Sequence, residues 1–324
     1  MEAVFSGRLF QLNVILWLLT TYWVAAQDAD IVSTCTGYKT SLFEEVAEFS
    51  LLYEGAPVIR KTRNKCKAYA PVIIGGAPAI PKEFPHAARL GHRDDEGEVN
   101  WFCGGTLISN RHVLTAAHCV LSFEGAINIV RLGELEFDNN QDDAQPEDFG
   151  VEGKPIVHPG YEHPVIYDDI AILKLDRNVT FNEYKHPACL PFEDGRKSNS
   201  FVAIGWGQTA LVPRPGSESS KILKKVKLLN FRTRCQLTAE KNEELPNGYN
   251  ASSQICIGSN EPSHDTCNGD SGGPVLTYHK DFPCLYHVMG ITSVAVACDT
   301  PDFPGMYTRV HFYLDWIKRE MAKN

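Results

Sequence analysis

An all-β fold of sandwich or barrel lobes, followed by one C-terminal helix, is what this sequence predicts, on three observations. From Ile73 onward, short runs rich in Val, Ile, Leu, Phe and Thr alternate with clusters of Gly, Pro, Asn and Asp, as expected of many short strands joined by turns. The chain has 324 residues, more than one average domain, which suits two packed lobes or a module with an appendage. Near the end, Val310, Tyr313, Leu314 and Ile317 recur at the spacing of an amphipathic helix.

Taken in chain order, the first element is a processing signal. Arg8 precedes an apolar stretch from about Leu12 to Ala26 that ends in Val24-Ala25-Ala26, residues small enough for a signal peptidase. A membrane anchor is the competing reading. The run is shorter than the roughly 20 residues a spanning helix needs and is interrupted by Thr20, Thr21 and Tyr22, so residues 1–26 are read as a signal peptide. Residues 27–72 form a propeptide with Cys35, Cys66 and the basic run Arg60-Lys61-Thr62-Arg63-Asn64-Lys65. Residues 73–324 carry the strand pattern, with clear examples at Thr106-Leu107-Ile108, 127–132, 170–175 and 201–204.

Composition narrows the function class. Hydrophobic residues make up 43% and charged residues 22%, values typical of a globular protein, and the formal charge of −9 argues against a nucleic-acid partner. The ten cysteines are even in number, with no Cys-x-x-Cys pair, which reads as a disulfide framework built in an oxidising compartment. Two sequons, at Asn178 and Asn250, are compatible with glycosylation on a secretory route. The expected location is therefore extracellular, with no membrane partner.

Three motifs carry chemistry. In Gly269-Asp270-Ser271-Gly272-Gly273-Pro274 the glycines allow a tight turn that exposes a serine hydroxyl and adjacent backbone N–H groups. His118, in Leu114-Thr115-Ala116-Ala117-His118-Cys119, follows an apolar run and is tethered by the neighbouring cysteine, for which Cys103 is a natural partner. Asp169 stands directly before the strand Ile170 to Leu175, which favours it over Asp168 as the carboxylate that orients an imidazole. The order His, Asp, Ser differs from that of the α/β-hydrolases and of the subtilisins.

Together these motifs resemble the chymotrypsin-like serine peptidases. The resemblance runs from Ile73-Ile74-Gly75-Gly76 to the C-terminus and includes Cys189-Leu190-Pro191, Gly205-Trp206-Gly207 and Pro304-Gly305-Met306-Tyr307-Thr308. Within that family, Lys65-Cys66-Lys67 and Gly290-Ile291-Thr292-Ser293 are most similar to insect snake-type proteases. Only two cysteines precede Ile73, so a complete six-cysteine clip domain is not expected.

The resemblance implies two packed six-stranded antiparallel β-barrels and a C-terminal helix. It implies His118, Asp169 and Ser271 as catalytic triad, and the N–H groups of Gly269 and Ser271 as oxyanion hole. Asp265 would form the base of a pocket for Lys or Arg, with Ser293, Ala295 and Gly305 on its walls, and Pro304 argues against sodium activation. Cutting after Val72 would free the α-amine of Ile73 to pair with Asp270. Because Pro71-Val72 offers no basic residue, the activator is expected to accept small or apolar residues.

Implied disulfides are Cys103–Cys119, Cys235–Cys256 and Cys267–Cys298, with Cys66–Cys189 tying light chain to heavy chain and Cys35–Cys284 left over. Phe201 and Thr277 stand where relatives carry another bridge. No cofactor is required. The acidic loop from Glu134 through Asp138, Asp142, Asp143, Glu147 and Asp148 is expected either to hold a structural calcium ion, as in relatives, or simply to be solvated. Expected partners are protein substrates, an upstream activating protease and serpin-type inhibitors, around a monomer of disulfide-linked light and heavy chains. The rival reading from another class is a catalytically silent homologue that binds or scaffolds.

Overall fold

The computed structural model describes residues 30–48, 59–64, 76–121, 124–139, 141–208, 219–232, 234–240, 242–260, 269–280, 282, 285–294 and 304–323. The expected signal peptide, Cys66, Val72, Ile73, Asp265, Cys267, Cys284, Ala295 and Cys298 lie outside the described residues.

Two antiparallel sheets make up the chain from residue 76 onward. The first runs β8 (Glu147–Gly150), β7 (Ile129–Leu132), β4 (Ala87–Arg93), β5 (Val99–Leu107), β6 (His112–Thr115), β10 (Ala171–Lys174), β9 (Ile156–Val157). The chain just after β8 meets the end of β10 at a bridge, Val151 to Leu175, with Glu152 N–H donating to Lys174 O at 2.7 Å and Asp176 N–H to Gly150 O at 2.9 Å. The second runs β11 (Ser200–Gly205), β14 (Pro274–Tyr278), β15 (Tyr286–Val294), β16 (Gly305–Arg309), β13 (Gln254–Gly258), β12 (Lys224–Asn230), and β11 pairs back to β12 along six residues. The C-terminal lobe is thus a closed six-stranded barrel and the N-terminal lobe a partly closed one. The expected pair of antiparallel β-lobes is what the structure shows, the first lobe closing through loop backbone rather than a strand ladder.

Alternation explains the strands. In β12 the outward Lys227 and Leu229 are exposed, whereas Val226 and Leu228 face the core with Phe201, Ile255 and Tyr307. Burying such side chains yields about 1.5–3 kcal/mol each. Phe201 fills this core where a cystine was absent from the sequence.

The C-terminal helix forms as expected. A 3₁₀ turn at Val310–Tyr313 leads into the terminal helix (Leu314–Met321), and Val310, Tyr313, Leu314, Trp316 and Ile317 are buried.

The start of the catalytic region is anchored by a buried ion pair. β3 (Ala77–Pro78) pairs with β12 at Lys224 and Lys225, and Lys225 Nζ donates to Glu83 Oε1 at 2.5 Å with both side chains at most 3% exposed. Glu83 also accepts from Ile80 N–H at 3.0 Å. Removing either partner would strand a buried charge, at a cost of about 3–5 kcal/mol.

Ahead of this region, α1 (residues 30–38) leads into a hairpin of β1 (Phe43–Glu48) and β2 (Ile59–Asn64). Ile31, Cys35 and Tyr38 fall on one face of α1 and, with Leu42 just beyond it, pack against the two sheets. Tyr38 Oη donates to Ile108 O at 2.9 Å.

That docking corrects the disulfide assignment. Cys189 is bonded to Cys35, with Cα atoms 5.1 Å apart, not to Cys66. Cys35 is therefore also not the partner of Cys284. Closeness to the cut does not choose the partner; the packed face of α1 does. Cys103–Cys119 and Cys235–Cys256 are formed as expected.

Candidate active site

His118 and Asp169 come from adjacent strands of the first lobe. β6 ends at Thr115 opposite Ala171 of β10, so the short helix α2 (Ala117–Val120) after one strand lies beside the residue that precedes the other. The Cys103–Cys119 bridge pins α2 to β5.

Asp169 is fully buried and makes a two-point grip on the histidine. Its Oδ2 accepts from His118 Nδ1 at 2.8 Å and its Oδ1 from His118 N–H at 2.9 Å. Ser293 Oγ donates to the same Oδ2, and Thr308 Oγ1 donates to the Asp169 carbonyl at 2.8 Å. Burial alone would raise the Asp169 pKa, but the charge of His118 and these hydrogen bonds hold it below the usual carboxylate value. Burial likewise opposes a charge on His118, and Asp169 outweighs it, so the imidazole pKa stands above its ordinary value. The grip leaves Nε2 as the nitrogen available to a substrate or nucleophile.

The neighbouring acid has a different task. Asp168, with φ of +55°, accepts a hydrogen bond from Tyr313 Oη at 2.7 Å. It ties the C-terminal helical segment to the start of β10 and does not serve the imidazole.

Ser271 lies in the turn before β14, on the second lobe. The turn is stitched to the first lobe by Gly104 N–H donating to Ser271 O at 2.7 Å. Gly272 N–H donates to Thr292 O at 2.8 Å and Gly273 N–H to Asp270 O at 2.9 Å. Two glycines are required here. Gly269 has φ of +92°, and Gly272 has φ of +75°, where a Cβ would collide with Thr115 Oγ1 and Gly104 O.

Asp270 points away from the turn, and its Oδ1 accepts from Gly207 N–H at 2.7 Å. Ser293, expected on a pocket wall, spends its hydroxyl on Asp169; Gly305 is buried on β16. Ser293 and Thr308 as supports of Asp169 were missed from sequence, since no spacing reveals a hydroxyl donated across 124 or 139 residues.

The acidic loop does not converge on one point. Glu134 accepts from Leu135 N–H at 3.0 Å and faces Arg131 at 3.4 Å. Asp148 meets Arg131 at 2.7 Å and Arg93 at 2.8 Å, Asp143 meets Lys82 at 3.1 Å, Glu147 meets Lys185 at 2.5 Å, and Asp138 meets Lys221 at 3.0 Å. Among the described residues the one cluster with metal-ligand spacing is Cys103, His118 and Cys119, whose sulfurs form a disulfide. Asp142 accepts from Glu136 N–H at 3.1 Å. Asn178 and Asn250 are both exposed.

Comparisons with known proteins agree with this architecture. The trypsin family model matches residues 73–317. Serine protease snk of Drosophila melanogaster is 37% identical over 261 residues, covering 79% of this chain and 58% of that protein. A venom protease of Bombus pensylvanicus is 34% identical over 253 residues, 75% of this chain and 96% of that protein. Phenoloxidase-activating factor 3 of Holotrichia diomphalia is 34% identical over 263 residues, 77% and 72% of the respective chains. The chain thus spans little more than half the length of the first of these relatives, at 58%. With a family match across three quarters of its length and lobes of the matching architecture, the chain belongs to the trypsin family of serine proteases.

Proposed function

We propose that this protein is a secreted serine endopeptidase zymogen that, once cut, hydrolyses peptide bonds after Lys or Arg in an extracellular proteolytic cascade. The observation that carries the reading is the buried grip of Asp169 on His118, which fixes the tautomer with Nε2 free to accept a proton.

The chemistry runs as follows. Ser271 Oγ attacks the scissile carbonyl while its proton passes to His118 Nε2. The resulting imidazolium is stabilised by Asp169, and the oxyanion accepts hydrogen bonds from the N–H groups of Gly269 and Ser271. Collapse breaks the C–N bond, and His118 gives its proton to the leaving amine. Water then repeats the sequence on the acyl-enzyme and restores the Ser271 hydroxyl.

Asp265 supplies the preference for cationic side chains, with Ala295 narrowing the pocket. Activation frees the Ile73 amine for Asp270, and the family match beginning at Ile73 supports that position. Relatives named for phenoloxidase activation support a cascade role, and those named for venom support secretion, as do the disulfides.

The test uses purified full-length protein. Elastase should generate a chain beginning at Ile73 that turns over Lys or Arg anilides and reacts with a fluorophosphonate. Ser271→Ala should lose roughly 10⁴–10⁶-fold in rate with secretion intact. A cut wild type that stays inert would leave the silent-homologue reading standing, and robust activation by trypsin at Ile73 would refute the expected activator class.

A further inference from the structure

A buried cation holds the oxyanion loop from behind. Arg89, on β4, is 3% exposed. Its Nη1 donates to the carbonyl of Gly269 at 2.6 Å, and its Nη2 to the carbonyl of Trp101 at 3.2 Å. Gly269 is the glycine whose N–H faces the oxyanion in the proposed mechanism. The residues on its N-terminal side, 261–268, lie outside the described structure, so among the described residues Arg89 is the one side chain hydrogen-bonded to that carbonyl.

The arrangement is costly for a merely structural role. The Nε of Arg89 is buried without a hydrogen-bond partner, which forfeits part of its hydration. Offsetting this, the negative charge of Asp270 lies within reach of the guanidinium. Burial lowers the Arg89 pKa and Asp270 raises it again, and a guanidinium stays charged under any working condition. A cavity of about 10 Å³ remains beside Arg89, Gly269 and Asp270, at the limit of what one water needs.

We propose that Arg89 is a positioning residue for catalysis: it fixes the Gly269–Asp270–Ser271 backbone in the orientation that presents the oxyanion-hole N–H groups. It touches neither substrate nor reacting atoms and acts through the Gly269 carbonyl. The inference rests on the protease reading above and extends it to a residue on the opposite lobe, since β4 belongs to the first sheet and the loop to the second.

Arg89→Met fills the same space without donors, and Arg89→Lys keeps the charge with a single donor centre. On the activated enzyme, Arg89→Met should lower kcat roughly 10- to 100-fold and weaken a peptide boronic acid, which forms a tetrahedral adduct, by the same factor. KM and the affinity for benzamidine, which fills only the primary pocket, should stay within about threefold. Arg89→Lys should recover part of the loss. Wild-type kcat and boronate affinity in Arg89→Met would overturn the proposal. So would an equal loss of boronate and benzamidine binding alongside a collapsed Tm, which marks general unfolding. Should Arg89→Met fail to be secreted, the comparison is made on Arg89→Lys, where an unchanged ratio of boronate to benzamidine affinity overturns it. A wild type that hydrolyses nothing sinks the protease reading itself, and that outcome is read before any variant.

Discussion

Asp168 and Asp169 are adjacent in the chain and serve opposite sides of the site: Asp169 grips His118 through two hydrogen bonds, and Asp168 accepts the phenol of Tyr313. Asp168, with φ of +55°, and Asp169 lie just before β10, and one carboxylate is fully buried and the other only partly so.

This separation predicts different outcomes for two isosteric changes. Asp169→Asn should lower kcat by about 10⁴, because an amide lets the imidazole adopt the wrong tautomer. Asp168→Asn should leave kcat within a few-fold and cost about 1 kcal/mol of stability through the Tyr313 hydrogen bond. Steady-state kinetics with thermal melts on both variants checks this, and equal losses of kcat would contradict it.

The raised pKa of His118 sets the acid limb of activity. Only the neutral imidazole can take the proton of Ser271, and a raised pKa extends the protonated form to higher pH. Activity should therefore fall on acidification at a pH above the ordinary imidazole value of about 6.5. The pH profile of kcat/KM measures it, and a limb well below that value would count against the grip.

The Cys35–Cys189 bond predicts which thiol is freed by mutation. Cys35→Ser should expose a single Cys189 thiol to maleimide labelling, located by peptide mapping. Cys66→Ser should leave Cys189 unlabelled. Labelling of Cys189 in the second variant and not the first would restore the pairing expected from sequence.

The acidic loop should be indifferent to calcium. Glu134, Asp138, Asp143, Glu147 and Asp148 face Arg131, Arg93, Lys82, Lys185 and Lys221, so millimolar calcium is expected to leave Tm unchanged and EDTA to have no effect. Arg131→Gln should destabilise the loop by removing the cation between Glu134 and Asp148. A calcium-dependent rise in Tm of the wild type would show that these pairs yield to an ion.

Local chemistry made much of this protein legible before any fold was seen. The strand-and-turn texture, the amphipathic terminal segment and the glycine-bracketed Ser271 depend on neighbours within a few residues, and such signals survive in a linear reading. The preference for Asp169 over Asp168 was legible for the same reason, since it followed from position at a strand mouth. What only the tertiary structure decided are relationships across long stretches of chain. The hydroxyls of Ser293 and Thr308 on Asp169, the cation Arg89 behind Gly269, and Lys82, Lys185 and Lys221 opposite Asp143, Glu147 and Asp138 join residues dozens to nearly two hundred positions apart. Cys35 was misassigned because the sequence reading placed no helix in residues 27–72, where α1 sets Ile31, Cys35 and Tyr38 on one face. A sequence shows that such a face must be covered, but the surface that covers it exists only once two lobes have packed, and that surface chose Cys189.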